Sequence, residues 1–94
     1  MNDVLAMNVI IHEFNKASKK NGAFNSAHEA YAVLLEEVDE LWDDIKRNQG
    51  YNQKAMLEAM QVAAMAMRYL VDFGKDSDFY ADGSPKYGHE VGAL

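Results

Sequence analysis

The sequence predicts an all-α fold, a bundle of three main helices followed by an irregular C-terminal tail. In three segments the apolar residues recur at spacings of three and four, which places them on one face of an α-helix. A glycine follows each segment, as at many helix ends. From Lys75 onward, glycines, a proline and scattered acids show no sustained period. We therefore expect residues 1–74 to form the helical domain and residues 75–94 the tail.

The first helix is predicted from about Asp3 to Lys20. Lysines occupy its last turns, and Asn21-Gly22 supplies the stop. Its apolar face is formed by Val4, Met7, Ile10, Ile11 and Phe14.

The second helix is predicted to begin at Ser26-Ala-His-Glu29, which has the pattern of a capping box, and to reach about Asn48 before Gly50. Its aromatic residues Tyr31 and Trp42 have the spacing of core residues, so we expect them in the core rather than stacked against a nucleotide base. Its apolar stripe consists of Tyr31, Leu34, Leu35, Val38, Leu41, Trp42 and Ile45.

The third helix is predicted from about Asn52 to Phe73, with Gly74 as the stop. Alanine and methionine make it apolar round most of its circumference, so we expect it to be buried from several directions. A side rich in small and flexible residues is the candidate surface for self-association. This side is formed by Met56, Ala59, Met60, Ala63 and Met67.

The length of 94 residues also favours an oligomer. A chain this short buries only roughly 60–65% of its unfolded surface, so a three-helix domain is marginal alone. We expect a homodimer or homotetramer.

Charge and composition exclude several functions. A net charge of −6 repels phosphate backbones, which argues against nucleic acid as a partner. The chain has no cysteine, so disulfides and thiolate metal sites are excluded. No apolar run approaches the ~20 residues that cross a bilayer, and the N-terminus does not have the pattern of a signal peptide. We expect a cytoplasmic protein that does not bind membranes.

The third helix also carries a narrow polar stripe, which is costly on a buried helix unless each group finds a partner. The second helix has a matching polar stripe, because Glu37, Glu40 and Asp44 lie at i, i+3 and i+7 and therefore on one face. If the two helices pack antiparallel, Glu37 and Glu40 face Glu58 and Gln61. Clustered carboxylates repel one another unless a cation lies between them, and oxygen ligands select Mg²⁺ or Mn²⁺. The stripe consists of Lys54, Glu58, Gln61, Arg68 and Asp72.

Simpler interpretations exist for the same residues. An acidic run on a helix is often a solvated face. Glu58 can pair with Lys54, four residues earlier, and ordinary ion pairing can explain both Lys54 and Arg68.

The two acidic segments resemble a known family. Glu36-Glu37-Val-Asp-Glu40 matches EExxE, and after 17 intervening residues Glu58-Ala-Met-Gln61 stands where ExxD is expected. This pairing, together with the surrounding residues, resembles the MazG-like all-α nucleoside triphosphate pyrophosphohydrolases, in particular short phage or bacterial members. The resemblance covers roughly residues 24–73.

The resemblance implies Mg²⁺ ligands at Glu37, Glu40, Glu58 and Gln61, with Glu36 or Glu37 as the base that accepts a proton from water. The implied reaction hydrolyses a nucleoside triphosphate to a monophosphate and pyrophosphate. Lys54 and Arg68 are then candidate phosphate ligands. Because Gln61 replaces an aspartate, a non-catalytic helical binding module that keeps the fold is the alternative, and Asp44 is the nearest acid that could compensate.

Overall fold

The protein is described by a computed structural model that covers residues 1–86. It contains three helices, α1 (Asp3–Asn21), α2 (Ala27–Asn48) and α3 (Gln53–Phe73). The described residues form no β-strand, which confirms the all-α prediction. All three helices begin and end within one residue of the predicted bounds, because the signals that set these bounds are local.

A side-chain oxygen caps the N-terminus of each helix. Asn2, Ser26 and Asn52 each accept a hydrogen bond from the backbone N–H three residues further on, at 2.8, 3.1 and 2.8 Å. The capping box at α2 differs from the predicted one in a single bond. Glu29 accepts the N–H of Asn25 at 3.1 Å, so it caps one residue before the N-cap.

Helix α3 lies between the other two and packs against both. Glu58, near its start, lies close to Glu40 and Asp44 near the end of α2, so these two helices are antiparallel. Arg68, near the end of α3, donates to the carbonyl of Gly22 just beyond α1, so α1 and α3 run in the same direction. Within the polar stripe of α3, Glu58 therefore faces α2, and Arg68 faces the α1–α2 connection.

The core within one chain is small. Half-buried Phe14, Val33 and Leu34 pack against it. Four polar residues, Glu13, Asp44, Glu58 and Arg68, are as deeply buried as the core itself. The buried apolar core consists of Ala17, Phe24, Ala30, Ala64 and Met65.

The apolar surfaces of α2 and α3 are more exposed than the sequence predicts. Tyr31 and Trp42, predicted as core aromatics, are 62% and 55% exposed, so that prediction is wrong for the single chain. Helix α3 is buried on the sides that pack against α1 and α2, whereas Met56 and Val71 lie on its open surface. The chain instead buries polar groups between α2 and α3 and leaves much apolar surface outside.

The tail is irregular but not featureless. Asp76–Asp78 form one 3₁₀ turn, and Phe79 and Pro85 form an isolated antiparallel bridge. The N–H of Tyr80 donates to the carbonyl of Ser84 at 2.9 Å, which closes a short turn. Residues 87–94 of the predicted tail lie outside the described residues. Among the described helices, none combines the length and apolar character needed to cross a bilayer.

Candidate metal centre

Antiparallel packing of α2 and α3 brings three glutamates together. Glu37 and Glu40 project from adjacent turns of α2, and Glu58 projects from the first half of α3. One carboxylate oxygen from each lies within 4.8 Å of the others. The predicted convergence of these three residues is therefore found in the structure.

The cluster contains buried oxygens that have no hydrogen-bond partner. Glu58 is only 7% exposed and its Oε2 is unpartnered, as is Oε2 of half-buried Glu37. A buried carboxylate oxygen without a partner is unfavourable, and most such oxygens in proteins have one. The three side chains supply only hard oxygen donors, so this donor set fits Mg²⁺ or Mn²⁺.

Burial, and after it the charge of neighbouring carboxylates, raises the pKa of two glutamates. Burial raises the pKa of Glu37 from its ordinary 4.5 to about 7, and the charges of Glu40 and Glu58 add to the rise. Burial also raises the pKa of Glu58, with further contributions from a hydrogen bond with Glu40 and the charge of Asp44. The cluster thus favours either a bound proton or a bound cation over bare negative charge.

Asp44 extends the cluster along α2. It is 1% exposed, and its Oδ2 is another buried oxygen without a hydrogen-bond partner. Its Oδ1 lies 3.6 Å from Nη2 of Arg47, whose side chain is largely exposed. Asp44, which the sequence identified as the nearest substitute for the missing aspartate, therefore lies near the cluster.

Glu13 of α1 is a buried acid that the sequence analysis missed. It is 7% exposed, and its charge contributes to the raised pKa of Glu37. Glu13 lies three residues after Ile10 and four before Ala17, so it occupies the inner face of α1. A lone acid within that inner face was the signal that could have revealed it.

A cavity of about 500 Å³ opens beside the cluster. Residues from all three helices and from the α1–α2 connection form its wall, which mixes acids and bases. Glu37 belongs both to this wall and to the acidic cluster, so the two features adjoin. The charged and amide side chains in the wall are Glu13, Lys16, Lys20, Asn21, Glu29, Glu37, Gln61 and Arg68.

Arg68 is the most firmly held cation of this wall. It is 4% exposed, and its Nη2 donates to the carbonyl oxygen of Gly22 at 2.7 Å. Its guanidinium also stacks on the Phe24 ring, 4.1 Å from the centroid, and Nη1 lies 3.4 Å from Sδ of Met65. These contacts tie α3 to the α1–α2 connection, so Arg68 is more than an ordinary ion-pairing residue.

The remaining predicted site residues differ in position. Gln61 is half-buried in the cavity wall, whereas Lys54 is exposed and does not line the cavity. Lys54 forms no ion pair with Glu58, although its charge lowers the pKa of that residue. Glu36 is exposed and acts on Glu37 only through its charge. The structure thus brings Gln61 and Arg68 to the cavity and leaves Lys54 and Glu36 at its margin.

Burial separates the acidic run of α2 into two faces. Glu36, Asp39 and Asp43 are solvated, as the simpler interpretation predicts. Glu37 and Asp44 are not, because they lie against α3. A solvated face therefore explains only part of the run.

Comparisons of the chain with protein-family models, with curated proteins and with solved structures find no match.

Proposed function

We propose that the protein is a magnesium-dependent nucleoside triphosphate pyrophosphohydrolase. The observation that carries the proposal is the convergence of Glu37, Glu40 and Glu58, with two unpartnered oxygens, beside a cavity that also contains cations. Carboxylates that hold a divalent ion beside a cavity with lysine and arginine in its wall match the needs of a phosphoanhydride substrate. The resemblance of the EExxE segment to the MazG-like family supports the same reaction.

In this proposal Glu37, Glu40 and Glu58 hold the Mg²⁺ ion, with Gln61 as a neutral fourth oxygen donor. When bound, the ion neutralises phosphate oxygens and makes a bound water more acidic. Mn²⁺ offers the same coordination chemistry and is the natural substitute.

The chain's own residues supply substrate binding and proton transfer. Lys16, Lys20 and Arg68 line the cavity, which supports a role for them in binding the phosphates of the substrate. Lys54 stays a weaker candidate because it lies outside the cavity wall. Glu37 lines the cavity and belongs to the acidic cluster, so it is the candidate base that accepts a proton from water.

The reaction consumes one water for each triphosphate. The water oxygen bonds to the α-phosphorus, and the bond from that phosphorus to the α–β bridging oxygen breaks. Pyrophosphate leaves with the bridging oxygen, and the carboxylate of Glu37 or its neighbour Glu36 accepts the proton of the water. The products are a nucleoside monophosphate and pyrophosphate.

A second candidate function is a non-catalytic module that binds a nucleotide or a metal ion. The observation that favours it is Gln61, which lines the cavity where the family pattern has an aspartate. A neutral amide contributes less to a divalent cation site than a carboxylate does. Binding without turnover is the expected result of that loss.

Product analysis distinguishes the two functions. We expect a panel of ribo- and deoxyribonucleoside triphosphates, incubated with the protein and Mg²⁺, to yield monophosphate and pyrophosphate in equal amounts. Phosphorus NMR identifies these products directly. Diphosphate and inorganic phosphate as products, or no turnover with any triphosphate, would refute the pyrophosphohydrolase.

Matched variants show whether the cluster is responsible. Glu40→Gln removes one carboxylate of the cluster, and we expect turnover to fall by at least tenfold. Asp39→Asn removes a neighbouring exposed acid of α2 and is expected to retain near-normal turnover. Equal activity of both variants would place the reaction elsewhere.

A further inference from the structure

Asp44 has a buried oxygen that the proposed ion does not explain. The residue is 1% exposed, and within residues 1–86 no group donates a hydrogen bond to its Oδ2. Its other oxygen, Oδ1, lies 3.6 Å from Nη2 of Arg47, which is longer than a hydrogen bond. The Arg47 side chain is 63% exposed, and an ion pair with so exposed a partner contributes little. The negative charge of Asp44 therefore needs another source of compensation.

A single ion cannot bind Asp44 together with the three glutamates. Oxygens that share one Mg²⁺ lie about 2.1 Å from it, and therefore within about 4.2 Å of one another. The group of carboxylate oxygens that all lie within 4.8 Å consists of Glu37, Glu40 and Glu58, and Asp44 is not a member of it. An ion held by the three glutamates thus leaves Oδ2 of Asp44 without a partner.

Asp44 also lies away from the substrate cavity. Glu37 and Gln61 line that cavity, whereas Asp44 and Glu58 do not. Asp44 follows Glu37 by seven residues, which is about 10 Å along α2, and its charge acts on Glu58 of α3. Ala55, one turn before Glu58, is completely buried and offers only a methyl group. The side chains of α3 in this region therefore supply no hydrogen-bond donor to Asp44.

We infer that a second divalent cation binds between Asp44 and Glu58, on the side of the acidic cluster away from the cavity. Oε2 of Glu58 is also unpartnered, and Glu58 is 7% exposed, so each residue supplies one buried oxygen. Mg²⁺ is commonly held by one or two carboxylates, with water in its remaining positions. Glu58 then bridges the two ions, because its carboxylate also belongs to the group of three glutamates.

The charges of the cluster favour two ions over one. When ionised, the three glutamates and Asp44 carry four negative charges, of which one divalent cation compensates only half. The second ion does not contact the substrate, because neither of its ligands lines the cavity. Its role is to hold α2 against α3. The inference rests on the part of the proposed function that places an ion among the glutamates, and it does not depend on the reaction.

Electron paramagnetic resonance with Mn²⁺ tests for the second ion. Mn²⁺ binds oxygen ligands as Mg²⁺ does, and two ions bridged by one carboxylate lie about 3.5–4 Å apart, close enough for their spins to couple. We expect the wild-type protein, loaded with two equivalents of Mn²⁺, to give a spin-coupled spectrum. Ions on scattered exposed acids do not couple, so they do not imitate this result. A spectrum of isolated Mn²⁺ only would overturn the second site.

Matched variants assign the second ion to Asp44. Asp44→Asn keeps the shape of the side chain and removes its charge, so we expect one bound Mn²⁺ per chain and no coupling. Asp43→Asn makes the same change at the neighbouring exposed acid and is expected to keep both ions and their coupling. Coupling retained in Asp44→Asn would contradict the assignment to this residue. A single ion in the wild type contradicts the second site and leaves the proposed function intact, whereas no bound ion contradicts both.

Discussion

Glu37 is the residue at which the fold and the proposed chemistry meet. It contributes to the acidic cluster, lines the cavity and has a pKa raised to about 7. Burial and the neighbouring carboxylates cause this rise, so the metal-free protein holds a proton on Glu37 that the unfolded chain would release. These interactions therefore reduce the stability of the metal-free protein as the pH rises from 4.5 through about 7.

The stability of the metal-free protein should consequently depend on pH. Folding raises the pKa of Glu37, so below pH 4.5 this side chain is protonated in both the folded and the unfolded chain and does not change stability. The loss of stability is complete only above about pH 7, where the side chain is ionised in both states. With EDTA present, we expect the melting temperature to fall by about 5 °C or more from pH 5 to pH 8, because 1 kcal/mol shifts a domain of this size by several degrees. Thermal unfolding followed by circular dichroism measures this change.

Two variants separate this effect from general titration. Glu37→Gln cannot ionise at that position, so it should melt above the wild type at pH 8 and show a flatter pH profile. Asp39→Asn changes an exposed acid and should follow the wild-type profile. A Glu37→Gln profile as steep as that of the wild type would mean that Glu37 is not the group that titrates.

The sequence identified some of these residues and missed others for a physical reason. Glu37, Glu40 and Glu58 could be predicted because helical periodicity and one antiparallel packing place them together. Glu13 could not be paired with them, because its approach depends on how α1 sits against α3. Side-chain periodicity describes one helix at a time, and it gives the relative position of two helices only when a short connection fixes it.

At the scale of the helices, α2 shows most clearly where sequence reasoning fails. Its bounds follow from local signals and were predicted correctly. Its orientation was predicted only in part, because Leu34 of the predicted stripe packs against the core and Leu41 is half-buried, whereas the other members are exposed. Here the half-buried and buried positions, among them Val33, Glu37 and Asp44, face α3, while the stripe containing Tyr31 and Trp42 faces outward.

Arg68 joins α3 to the α1–α2 connection, so its loss should loosen the whole helical arrangement. Arg68→Ala removes the bond to the carbonyl of Gly22 and the stacking on Phe24. A buried charge-assisted hydrogen bond and its packing are worth about 2–4 kcal/mol together. We expect a loss of that size in the free energy of unfolding, measured by urea denaturation.

Conservative and exposed substitutions serve as controls for Arg68. Arg68→Lys keeps the charge but loses the planar stacking and the forked donors, so we expect an intermediate loss. Lys19→Ala, on the exposed side of α1, should change the free energy of unfolding by no more than about 0.5 kcal/mol. A loss below about 1 kcal/mol for Arg68→Ala would show that solvent replaces its buried contacts.

In the molecule as a whole, several charged residues are buried and many large apolar residues are exposed, which is the reverse of the usual distribution. Among residues 1–86, four charged residues are buried, while the surface includes long apolar stretches of α2 and α3. In what we propose, a divalent cation compensates the buried acids.

Magnesium should therefore stabilise the folded protein as a whole. A ligand that binds only the folded state adds about 2.7 kcal/mol at 100 times its dissociation constant, which is on the order of 10 °C for a domain of this size. We expect the melting temperature to rise by this order with saturating Mg²⁺ at pH 8. Glu40→Gln should lose most of the rise, because it removes one of the converging carboxylates.

Gln61→Asp extends this test in the opposite direction. An added carboxylate in the cavity wall should increase repulsion without metal, so the variant should melt below the wild type in EDTA. With Mg²⁺ the order should reverse, since each added carboxylate strengthens a hard-cation site, and we expect roughly tenfold tighter binding. Calorimetric titration with Mg²⁺ measures the affinity independently of unfolding. If the variant binds Mg²⁺ no more tightly than the wild type, Gln61 does not reach the cluster, and the ion is held by the three glutamates without it.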